Sequence, residues 1–344
     1  MRKILVLPSP KLRADLFEPS VEARLNALGE IIANPNDQNY TSEELADLIP
    51  GMEACITSWG SPKFTEEVIA KADSLRVIVH AAGSIKGLLT PAVFEKGIAV
   101  CTSQPAMGIS VAAMTVAMME IMLRNVVNLA SAIRAQRTWR PEGLAGAREL
   151  NGKVVGIVGA SLIGRLVIQF IQPWDVELRI FDPYLTAEEA ESLGARLVLR
   201  SESLRRVVKV SLEEIFGGCD VISIHAPLTG ETRGMITREH LKSIKPGAVL
   251  INTSRGAIID HEALLDELKT GRFSAALDVT DPEPLPNGHE FFGLENVVFT
   301  PHISGGTPEM KLRQGAAAVR NLELFFTGGT PNRLVTKDML ATMA

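Results

Sequence analysis

The sequence is poor in cysteine and in long apolar runs. Its three cysteines, Cys55, Cys101 and Cys219, are odd in number, widely spaced and not part of any CxxC motif. Neither a disulfide framework nor a zinc site is therefore expected, and a reducing cytoplasm is the expected location. The longest apolar stretch, 111–123, is interrupted by Glu120 and is shorter than the roughly 20 residues that span a bilayer, so it predicts a buried helix.

The sequence also lacks an excess of positive charge. Its 35 Lys and Arg residues are outnumbered by 40 Asp and Glu residues, which gives a net charge of -5. Proteins that bind nucleic acid or anionic membranes usually carry a broad positive field, so this balance argues against both partners. A small molecule is the expected partner.

Short apolar runs alternate with helical patterns along nearly the whole chain. They are ILVL at 4–7, ACITSW, RVIVHAAG and IAVCTS, and then KVVGIVG, ELRIFD, DVISIHA, AVLINTS, SAALDV and VVFTPH. This alternation is typical of α/β proteins with doubly wound parallel sheets. A chain of 344 residues predicts two domains, and six strands suit a complete dinucleotide-binding sheet. One helix over about 110–137 is predicted to bridge the domains, and another over about 308–326 to return to the first.

The segment VVGIVGASLIGR predicts a glycine turn between a strand and a helix. Gly159 and Gly164 stand where the N-terminus of that helix, with Ser161, Leu162 and Ile163, would face a pyrophosphate. The usual GxGxxG fingerprint has Ser161 in place of its middle glycine, so an ordinary tight turn is the alternative interpretation. The Ser161 hydroxyl can itself donate a hydrogen bond to a phosphate oxygen.

Asp182 supports the nucleotide interpretation because it ends the next predicted strand, LRIFD, 18 residues after Gly164. A carboxylate at this position can accept hydrogen bonds from the adenosine ribose. It would also repel the 2'-phosphate of NADP, and no Arg or Lys follows it directly, so NAD is the predicted cofactor. The alternative for Asp182 is a turn residue before Pro183.

Three further motifs follow: INTSRG with Arg255, ALDVTDPEPLP with Asp278 and Glu283, and TPHISGG with His302. With these motifs the sequence resembles the D-isomer-specific 2-hydroxyacid dehydrogenases over nearly its whole length. The resemblance is strongest over 153–306 and includes HAPLTGETRGMI. Motifs as long and specific as these make a chance match to the family improbable.

The resemblance implies a role for each of three residues. Arg255 would hold the substrate carboxylate and carbonyl with its planar pair of donors. His302 would exchange a proton with the substrate oxygen, and the Glu283 carboxylate would hold and stabilise its imidazolium form. Taken singly, each residue has a plain alternative: a solvated turn for Arg255, a surface charge for Glu283 and a capped core histidine for His302.

The resemblance also implies the architecture and the cofactor contacts. A Rossmann NAD-binding domain would cover 106–304, and a smaller flavodoxin-like substrate domain would be formed by 1–105 with 305–344. Asp278 would contact the nicotinamide end of NAD. The other residues implied to lie along the cofactor are His225, Ala226, Pro227, Thr253, Ser254, Ser304 and Gly305.

The first domain departs from the family pattern in its substrate loop, which reads HAAGSIKGLLT and is one residue shorter. The backbone N–H groups of Gly83, Ser84 and Ile85 remain suited to bind a carboxylate, because a turn can form an anion-binding concavity.

A second departure is the stretch that carries Arg200, Arg205, Arg206 and Lys209, which is interpreted as a solvated insertion. The remaining histidines, His80, His240, His261 and His289, lack a family role and match no metal-binding spacing. They are predicted to be surface or packing residues, and no metal site is expected.

The function implied by the resemblance is hydride transfer between NAD(H) and the α-carbon of a small D-2-hydroxy or 2-oxo acid, by a homodimer. The residues do not identify the acid. A non-catalytic NAD-sensing protein of the same fold is one alternative, against which the complete Arg255, Glu283 and His302 set argues. A formate or phosphite dehydrogenase-like enzyme is the other, and Glu283 argues against it.

Overall fold

The computed structural model describes residues 1–85, 87–143, 146–194 and 207–342. The chain divides into two compact units, one formed by Met1–Gly108 with Gly305–Ala344 and the other by Ile109–Ser304. Each unit contains one parallel β-sheet, so the predicted α/β class with two parallel sheets is confirmed. The predicted insertion residues Arg200, Arg205 and Arg206 lie outside the described residues.

The sheet of the first unit has five strands: β1 (Lys3–Val6), β2 (Glu30–Ala33), β3 (Ala54–Thr57), β4 (Val77–His80) and β5 (Ala99–Thr102). They pair in the order β2-β1-β3-β4-β5, and all pairs are parallel. The helices between them are α1 (Pro10–Leu16), α2 (Pro19–Leu28), α3 (Ser42–Leu48), α4 (Glu66–Lys71) and α5 (Pro91–Glu95). Every residue of β3 and β4 is buried, as expected for central parallel strands with both faces covered.

The strand β2 was not predicted from the sequence. It lies at the edge of the sheet and pairs only with β1 among the described strands. It begins with Glu30, and none of its four residues is fully buried, so its apolar signal is shorter and weaker than that of the central strands.

The sheet of the second unit has seven strands: β6 (Val154–Val158), β7 (Glu177–Phe181), β8 (Val207–Lys209), β9 (Val221–Ile224), β10 (Val249–Asn252), β11 (Ser274–Leu277) and β12 (Val297–Phe299). Their order is β12-β11-β10-β9-β6-β7-β8. Its helices are α6 (Gln104–Leu123), which begins in the first unit, and α7 (Val126–Gln136), α8 (Leu162–Phe170), α9 (Ala187–Gly194), α10 (Leu212–Gly218), α11 (Arg238–Ser243) and α12 (His261–Lys269).

Six strands were predicted for this sheet, and the structure has seven. The additional strand, β8, pairs with β7 at the edge of the sheet. Lys209, which was interpreted as part of a solvated insertion, is the last residue of β8, and its ammonium donates a hydrogen bond to the carbonyl of Leu185. A three-residue edge strand carries too few apolar positions to be recognised from periodicity.

The single bridging helix predicted over about 110–137 is wrong, because the segment forms two helices. Asn125 lies between α6 and α7 with φ of 53°, a left-handed conformation that ends the hydrogen-bond ladder. By length and apolar composition α6 is the one described helix that could span a membrane, and 39% of its apolar window is buried. The buried face, Ala112, Val116, Met119 and Leu123, packs into the core of the second unit.

After the second unit the chain forms α13 (Pro308–Phe326) and α14 (Met339–Thr342). The limits of α13 agree with the predicted helix over about 308–326. Ala318, Val319 and Leu322 of α13 pack into the core around β1, β3 and β4. A Cβ on Gly315 would overlap the carbonyl of Leu16, so glycine at this position allows α13 to pack closely against α1.

Candidate functional site

The predicted site residues of the second unit lie at one edge of its sheet. All seven strands are parallel, and candidate residues follow the carboxyl ends of six of them: β6, β7, β9, β10, β11 and β12. The chain order reverses between β9 and β6, and in open α/β sheets ligands bind at the carboxyl ends of the strands beside such a reversal. The sheet therefore has the geometry of a nucleotide-binding site.

The glycine turn after β6 leaves no room for side chains at two positions. Gly159 has φ of 90°, and a Cβ there would come within 2.7 Å of the backbone nitrogen of Ala226. A Cβ on Gly164 would overlap the carbonyl of Gly159, so this glycine permits α8 to begin directly against the turn. Both glycines are therefore required by backbone packing, as in dinucleotide-binding turns.

The residue between these glycines is compatible with a phosphate. Ser161 is the N-cap residue of α8, is exposed, and makes no side-chain capping hydrogen bond. Its hydroxyl and the first N–H groups of α8, at Leu162 and Ile163, are therefore donors at the positive end of the helix dipole. This set of donors fits the pyrophosphate of a dinucleotide.

Asp182 lies where a ribose would bind, and it also holds the glycine turn in place by hydrogen bonds. Its Oδ2 accepts a hydrogen bond from Ala160 N at 2.8 Å, and its Oδ1 accepts one from Tyr184 N at 2.9 Å. A carboxylate can accept about four hydrogen bonds, so two positions remain for ribose hydroxyls. The structural role, which ties β7 to the turn after β6, was not predicted from the sequence.

The turn after β10 positions Arg255 through the side chain of Asn252. Asn252 Oδ1 accepts hydrogen bonds from Ser254 N at 3.0 Å and Ser254 Oγ at 2.9 Å, and its Nδ2 donates to the carbonyl of Arg255 at 3.0 Å. A Cβ on Gly256 would overlap the backbone of Thr280, so the glycine brings this turn against the loop that leads to Glu283. Asn252 is a positioning residue that the sequence reasoning missed.

The Arg255 guanidinium is partly buried, and its Nη1 donates to the carbonyl of Ser254 at 2.6 Å. Within the described ranges it forms no ion pair with a carboxylate. Most of its donors are therefore available to an acidic ligand, and their planar arrangement suits bidentate binding of a carboxylate.

The structure brings His302 and Glu283 into direct contact. His302 Nδ1 lies 2.5 Å from Glu283 Oε1, and the two side chains are 45% and 40% exposed. Because Nδ1 is held by the carboxylate, Nε2 is the ring nitrogen left for a ligand. This arrangement suits proton transfer by an oriented imidazole.

Asp278 fixes the backbone that carries His302. Its Oδ1 accepts hydrogen bonds from Thr300 Oγ1 at 2.6 Å and Ile303 N at 2.9 Å, and its Oδ2 accepts one from Ser304 N at 2.9 Å. His302 has φ of 53°, which is uncommon for a residue with a side chain, and its N–H donates to the carbonyl of Asp278 at 2.9 Å. The sequence implied only a cofactor contact for Asp278.

The side chains of other predicted cofactor residues are turned into the protein. His225 is buried with Nε2 2.8 Å from Ser223 Oγ, and burial lowers its pKa to about 3, so its ring is neutral. The Thr253 hydroxyl is 2.8 Å from Thr115 Oγ1 on α6. A cofactor contact by His225 would therefore use its backbone, as it would for Ala226 and Pro227.

The predicted substrate loop, Gly83, Ser84 and Ile85, belongs to the first unit and follows β4, whereas Gly305 begins the return of the chain to that unit. Gly83 and Ile85 are buried, the latter in the core of the first unit, whereas Ser84 is exposed. Within the described residues, the N–H groups of Gly83 and Ile85 donate to no protein acceptor. Across the described ranges no group of His, Cys, Asp and Glu side chains is suited to hold a metal ion.

The chain is similar to known proteins over both units. Residues 116–304 match the family model described as the NAD-binding domain of D-isomer specific 2-hydroxyacid dehydrogenases. A D-3-phosphoglycerate dehydrogenase of Methanocaldococcus jannaschii is 31% identical over 92% of this chain, which spans only 58% of that relative. A glyoxylate reductase of Thermofilum pendens is 31% identical over 94% of this chain and 93% of its own length.

A solved structure shares the same fold. A phosphoglycerate oxidoreductase from Rhizobium etli, 24% identical, superposes with a TM-score of 0.81 and covers 98% of this chain and 99% of its own. The family match supports the dinucleotide interpretation of the strand edge, and NAD(H) is the cofactor that the matched domain binds.

Proposed function

Because the chain belongs to the D-isomer specific 2-hydroxyacid dehydrogenase family, we propose that it transfers a hydride between NAD(H) and the α-carbon of a small 2-hydroxy or 2-oxo acid. The observation that carries this proposal is the 2.5 Å contact between His302 Nδ1 and Glu283 Oε1 at the edge of a nucleotide-binding sheet. The D configuration of the hydroxy acid is proposed from the family. The side chain of the acid is to be identified by assay.

His302 acts as the acid and base in this proposal. In the reducing direction its Nε2 donates a proton to the carbonyl oxygen of the 2-oxo acid as C2 receives the hydride, so the C=O double bond becomes a C–O single bond. Glu283 keeps the ring oriented through Nδ1 and stabilises the protonated form by its charge. Oxidation of the hydroxy acid runs through the same groups in reverse.

Arg255 binds the acid. Its guanidinium has no carboxylate partner in the described part of the chain, and a planar pair of N–H donors matches the two oxygens of a substrate carboxylate. In the first unit, Gly83, Ser84 and Ile85 remain the proposed substrate-binding residues, through their backbone N–H groups. The segments 1–105 and 305–344, which lie in the first unit, are proposed as the substrate domain, and 106–304 as the NAD-binding domain.

The cofactor is held by the glycine turn and Asp182. When bound, the dihydronicotinamide supplies the hydride. The exposed Ser161 and the N-terminal N–H groups of Leu162 and Ile163 would bind the pyrophosphate, and the two free acceptor positions of Asp182 would bind the adenosine ribose. The carboxylate of Asp182 selects NAD over NADP by repelling a 2'-phosphate.

The test is oxidation of NADH at 340 nm with a panel of 2-oxo acids that includes glyoxylate, hydroxypyruvate and pyruvate. NADPH and formate with NAD are run beside it. His302→Ala should lower turnover by about 2 to 4 orders of magnitude with NADH affinity kept, as for loss of a general acid. His289→Ala, which changes a histidine outside the site, is the matched control and should keep its turnover.

Each alternative has its own result in this assay. Reduction of NAD by formate without activity on any 2-oxo acid would favour the formate dehydrogenase-like enzyme. NADH binding with no turnover of any acid would favour the NAD-sensing protein. Equal turnover by wild type and His302→Ala would remove His302 as the acid, whatever the substrate.

We further propose that two copies of the chain associate through α6 and α7. No residue of α7 is buried, although Val126 and Val127 are apolar and 44% and 46% exposed. Trp139, just beyond α7, is 85% exposed. Exposed apolar side chains at both ends of α7, together with the apolar composition of α6, indicate a protein interface, which a second copy would cover symmetrically.

Sedimentation equilibrium tests this association. The wild type should sediment as a dimer, and Val127→Asp should shift it toward the monomer, whereas Arg137→Asp, an exposed change at the end of the same helix, serves as the charge control. A wild-type monomer would refute the proposal. Flotation with lipid vesicles would instead assign the apolar surface of α6 to a membrane.

The cytoplasm is the proposed location. The three cysteines are free and buried, which suits a reducing compartment in which no disulfide is needed. Fractionation of cells that express the tagged protein should place it with the cytoplasmic fraction, and recovery with the periplasmic or membrane fraction would contradict the assignment.

A further inference from the structure

Arg165 lies on the exposed face of α8, close to the glycine turn that precedes this helix. No role was predicted for it from the sequence. A cation near the N-terminus of a helix is opposed by the helix dipole, and no acidic residue stands in the first turn of α8 to offset it. Among the described residues the Arg165 guanidinium also forms no ion pair. Helix stability and ion pairing therefore do not account for this arginine.

Arg165 instead holds the backbone of the glycine turn. Its Nε donates a hydrogen bond to the carbonyl of Ala160 at 2.9 Å. Ala160 is 1% exposed, and within the described part of the chain no other group donates to this carbonyl. Because a backbone carbonyl in buried surroundings is costly to leave without a donor, the bond fixes the carbonyl in the direction of Arg165.

The N–H group of Ala160 is held from the opposite element. Asp182 Oδ2, at the end of β7, accepts a hydrogen bond from Ala160 N at 2.8 Å. One residue earlier, Gly159 N donates to the carbonyl of Phe181 at 2.8 Å. The peptide that precedes Ala160 is thus anchored to β7, and the peptide that follows it is anchored to α8 through Arg165. The two peptide groups of the turn therefore have separate anchors.

The peptide that Arg165 anchors carries the N–H of Ser161. This peptide is trans, so its carbonyl and its N–H point in opposite directions, and a carbonyl held toward Arg165 turns the Ser161 N–H away from the guanidinium. Ser161 is exposed, and its N–H donates to no acceptor among the described residues. With the Ser161 hydroxyl, this N–H is a donor at the N-terminus of α8 that suits a phosphate oxygen.

We propose that Arg165 is a positioning residue for the cofactor, which fixes the Ala160–Ser161 peptide so that the Ser161 N–H is presented to the pyrophosphate of NAD(H). The inference rests on the proposed function for the cofactor bound at this turn, and it does not depend on which acid is reduced. Asp182 serves the ribose end of the turn and Arg165 the phosphate end. Arg165 acts through the peptide that it holds, without itself touching the cofactor.

Two substitutions of Arg165 separate its hydrogen bond from its charge. Glutamine carries its amide nitrogen directly after Cδ, as arginine carries Nε, so Arg165→Gln keeps a donor at that position and loses the charge. Arg165→Met has a methyl group at the same position and keeps neither. Gln169→Met, one turn further along the exposed face of α8, is the matched control.

Binding of ADP and of adenosine, followed by NMR titration, measures the effect at the turn. ADP contains a pyrophosphate, and adenosine does not. Arg165→Met should raise the Kd for ADP about tenfold and leave the Kd for adenosine within about twofold, because the ribose end keeps its anchor at Asp182. Arg165→Gln and Gln169→Met should stay within about threefold of the wild type for both ligands.

Steady-state kinetics and the wild-type spectrum give two further readouts. In Arg165→Met the KM for NADH should rise about tenfold, while kcat at saturating NADH and the KM for the acid stay within about twofold, since the bond affects cofactor binding alone. In the wild type the amide resonance of Ser161 should shift with ADP and not with adenosine. A Ser161 resonance that ignores ADP would refute the proposal, even if no variant of Arg165 folds.

Other roles of Arg165 would give other patterns. An equal loss of ADP affinity in Arg165→Gln and Arg165→Met would show that the charge attracts the pyrophosphate and that the hydrogen bond is not what matters. Loss of adenosine binding and of thermal stability together with ADP binding would make Arg165 a structural residue. Either result would overturn the proposal, as would ADP binding by Arg165→Met at the wild-type affinity.

The ADP titrations require no turnover, so they separate this proposal from the proposed function. A chain that shows the predicted ADP pattern yet reduces no 2-oxo acid with NADH would refute the proposed function alone. A chain that reduces a 2-oxo acid, while Arg165→Met binds ADP and NADH as the wild type does, would refute the role of Arg165 alone.

Discussion

Replacement of Asp278 by asparagine should weaken the segment that carries His302 while keeping the volume of the side chain. The Asp278 carboxylate is 3% exposed and accepts three hydrogen bonds, from Thr300, Ile303 and Ser304. An asparagine keeps one acceptor oxygen and replaces the other by an amide donor. At least one donor of the 300–304 segment would then face another donor instead of an acceptor.

The magnitude follows from these contacts. A buried donor left without an acceptor costs about 1–3 kcal/mol, so the free energy of unfolding of the second unit should fall by about that amount. The left-handed backbone of His302 depends on the same segment, and a displacement of about 1 Å at a catalytic group can cost on the order of a hundredfold in rate. We therefore expect kcat to fall by about tenfold to a hundredfold.

Urea denaturation followed by intrinsic fluorescence, with steady-state kinetics on the same preparations, measures both effects. Glu283→Gln is the matched control, because its side chain is 40% exposed and a surface change should alter stability by less than about 0.5 kcal/mol while still lowering kcat. If Asp278→Asn unfolded at the wild-type urea concentration and turned over at the wild-type rate, the argument for Asp278 as the anchor of His302 would be refuted.

Three other changes have expected outcomes. Gly164→Ala should lower the thermal midpoint by several degrees and abolish NADH binding, because its Cβ would overlap the carbonyl of Gly159; calorimetry and NADH fluorescence check this. Asp182→Ala should raise the KM for NADH at least tenfold and reduce the preference over NADPH, measured by kcat/KM for the two cofactors. Since burial lowers the pKa of His80 to about 4 and of His225 to about 3, the unfolded chain binds protons at higher pH than the folded one. Stability should therefore fall as the pH drops from 6.5, by about 3 kcal/mol for His80 alone at pH 4, and urea titrations of His80→Gln should show a shallower fall.

Much of the fold could be predicted because central strands such as β4, β9 and β10 are short runs rich in Val and Ile that are fully buried and alternate with helical patterns. The strands β2 and β8 were not predicted because edge strands are only partly buried and carry a weaker apolar signal. The break at Asn125 was not predicted because apolar residues at 121–123 and 126–127 continue the helical pattern on both sides of Arg124 and Asn125, and the backbone geometry is what shows where the first helix ends.

The candidate site likewise contains residues that could be predicted from the sequence and residues that could not. The motifs around Arg255, Glu283 and His302 could be recognised because each is contiguous in the sequence. The roles of Asn252 and Asp182 in holding neighbouring turns could not, because their hydrogen bonds depend on how the chain folds at the strand ends. Residues that join one strand end to the next are therefore the part of the site that the structure adds.

Transfer of deuterium tests the central claim most directly. The chain is supplied with NADH deuterated at C4, in each of the two configurations, together with the 2-oxo acid that it reduces fastest, and the product is examined by mass spectrometry and NMR. We predict a 2-hydroxy acid of D configuration with one deuterium on C2 from only one of the two labelled cofactors. Deuterium that is absent from C2, or a product in which C2 has not been reduced, would contradict hydride transfer to the α-carbon.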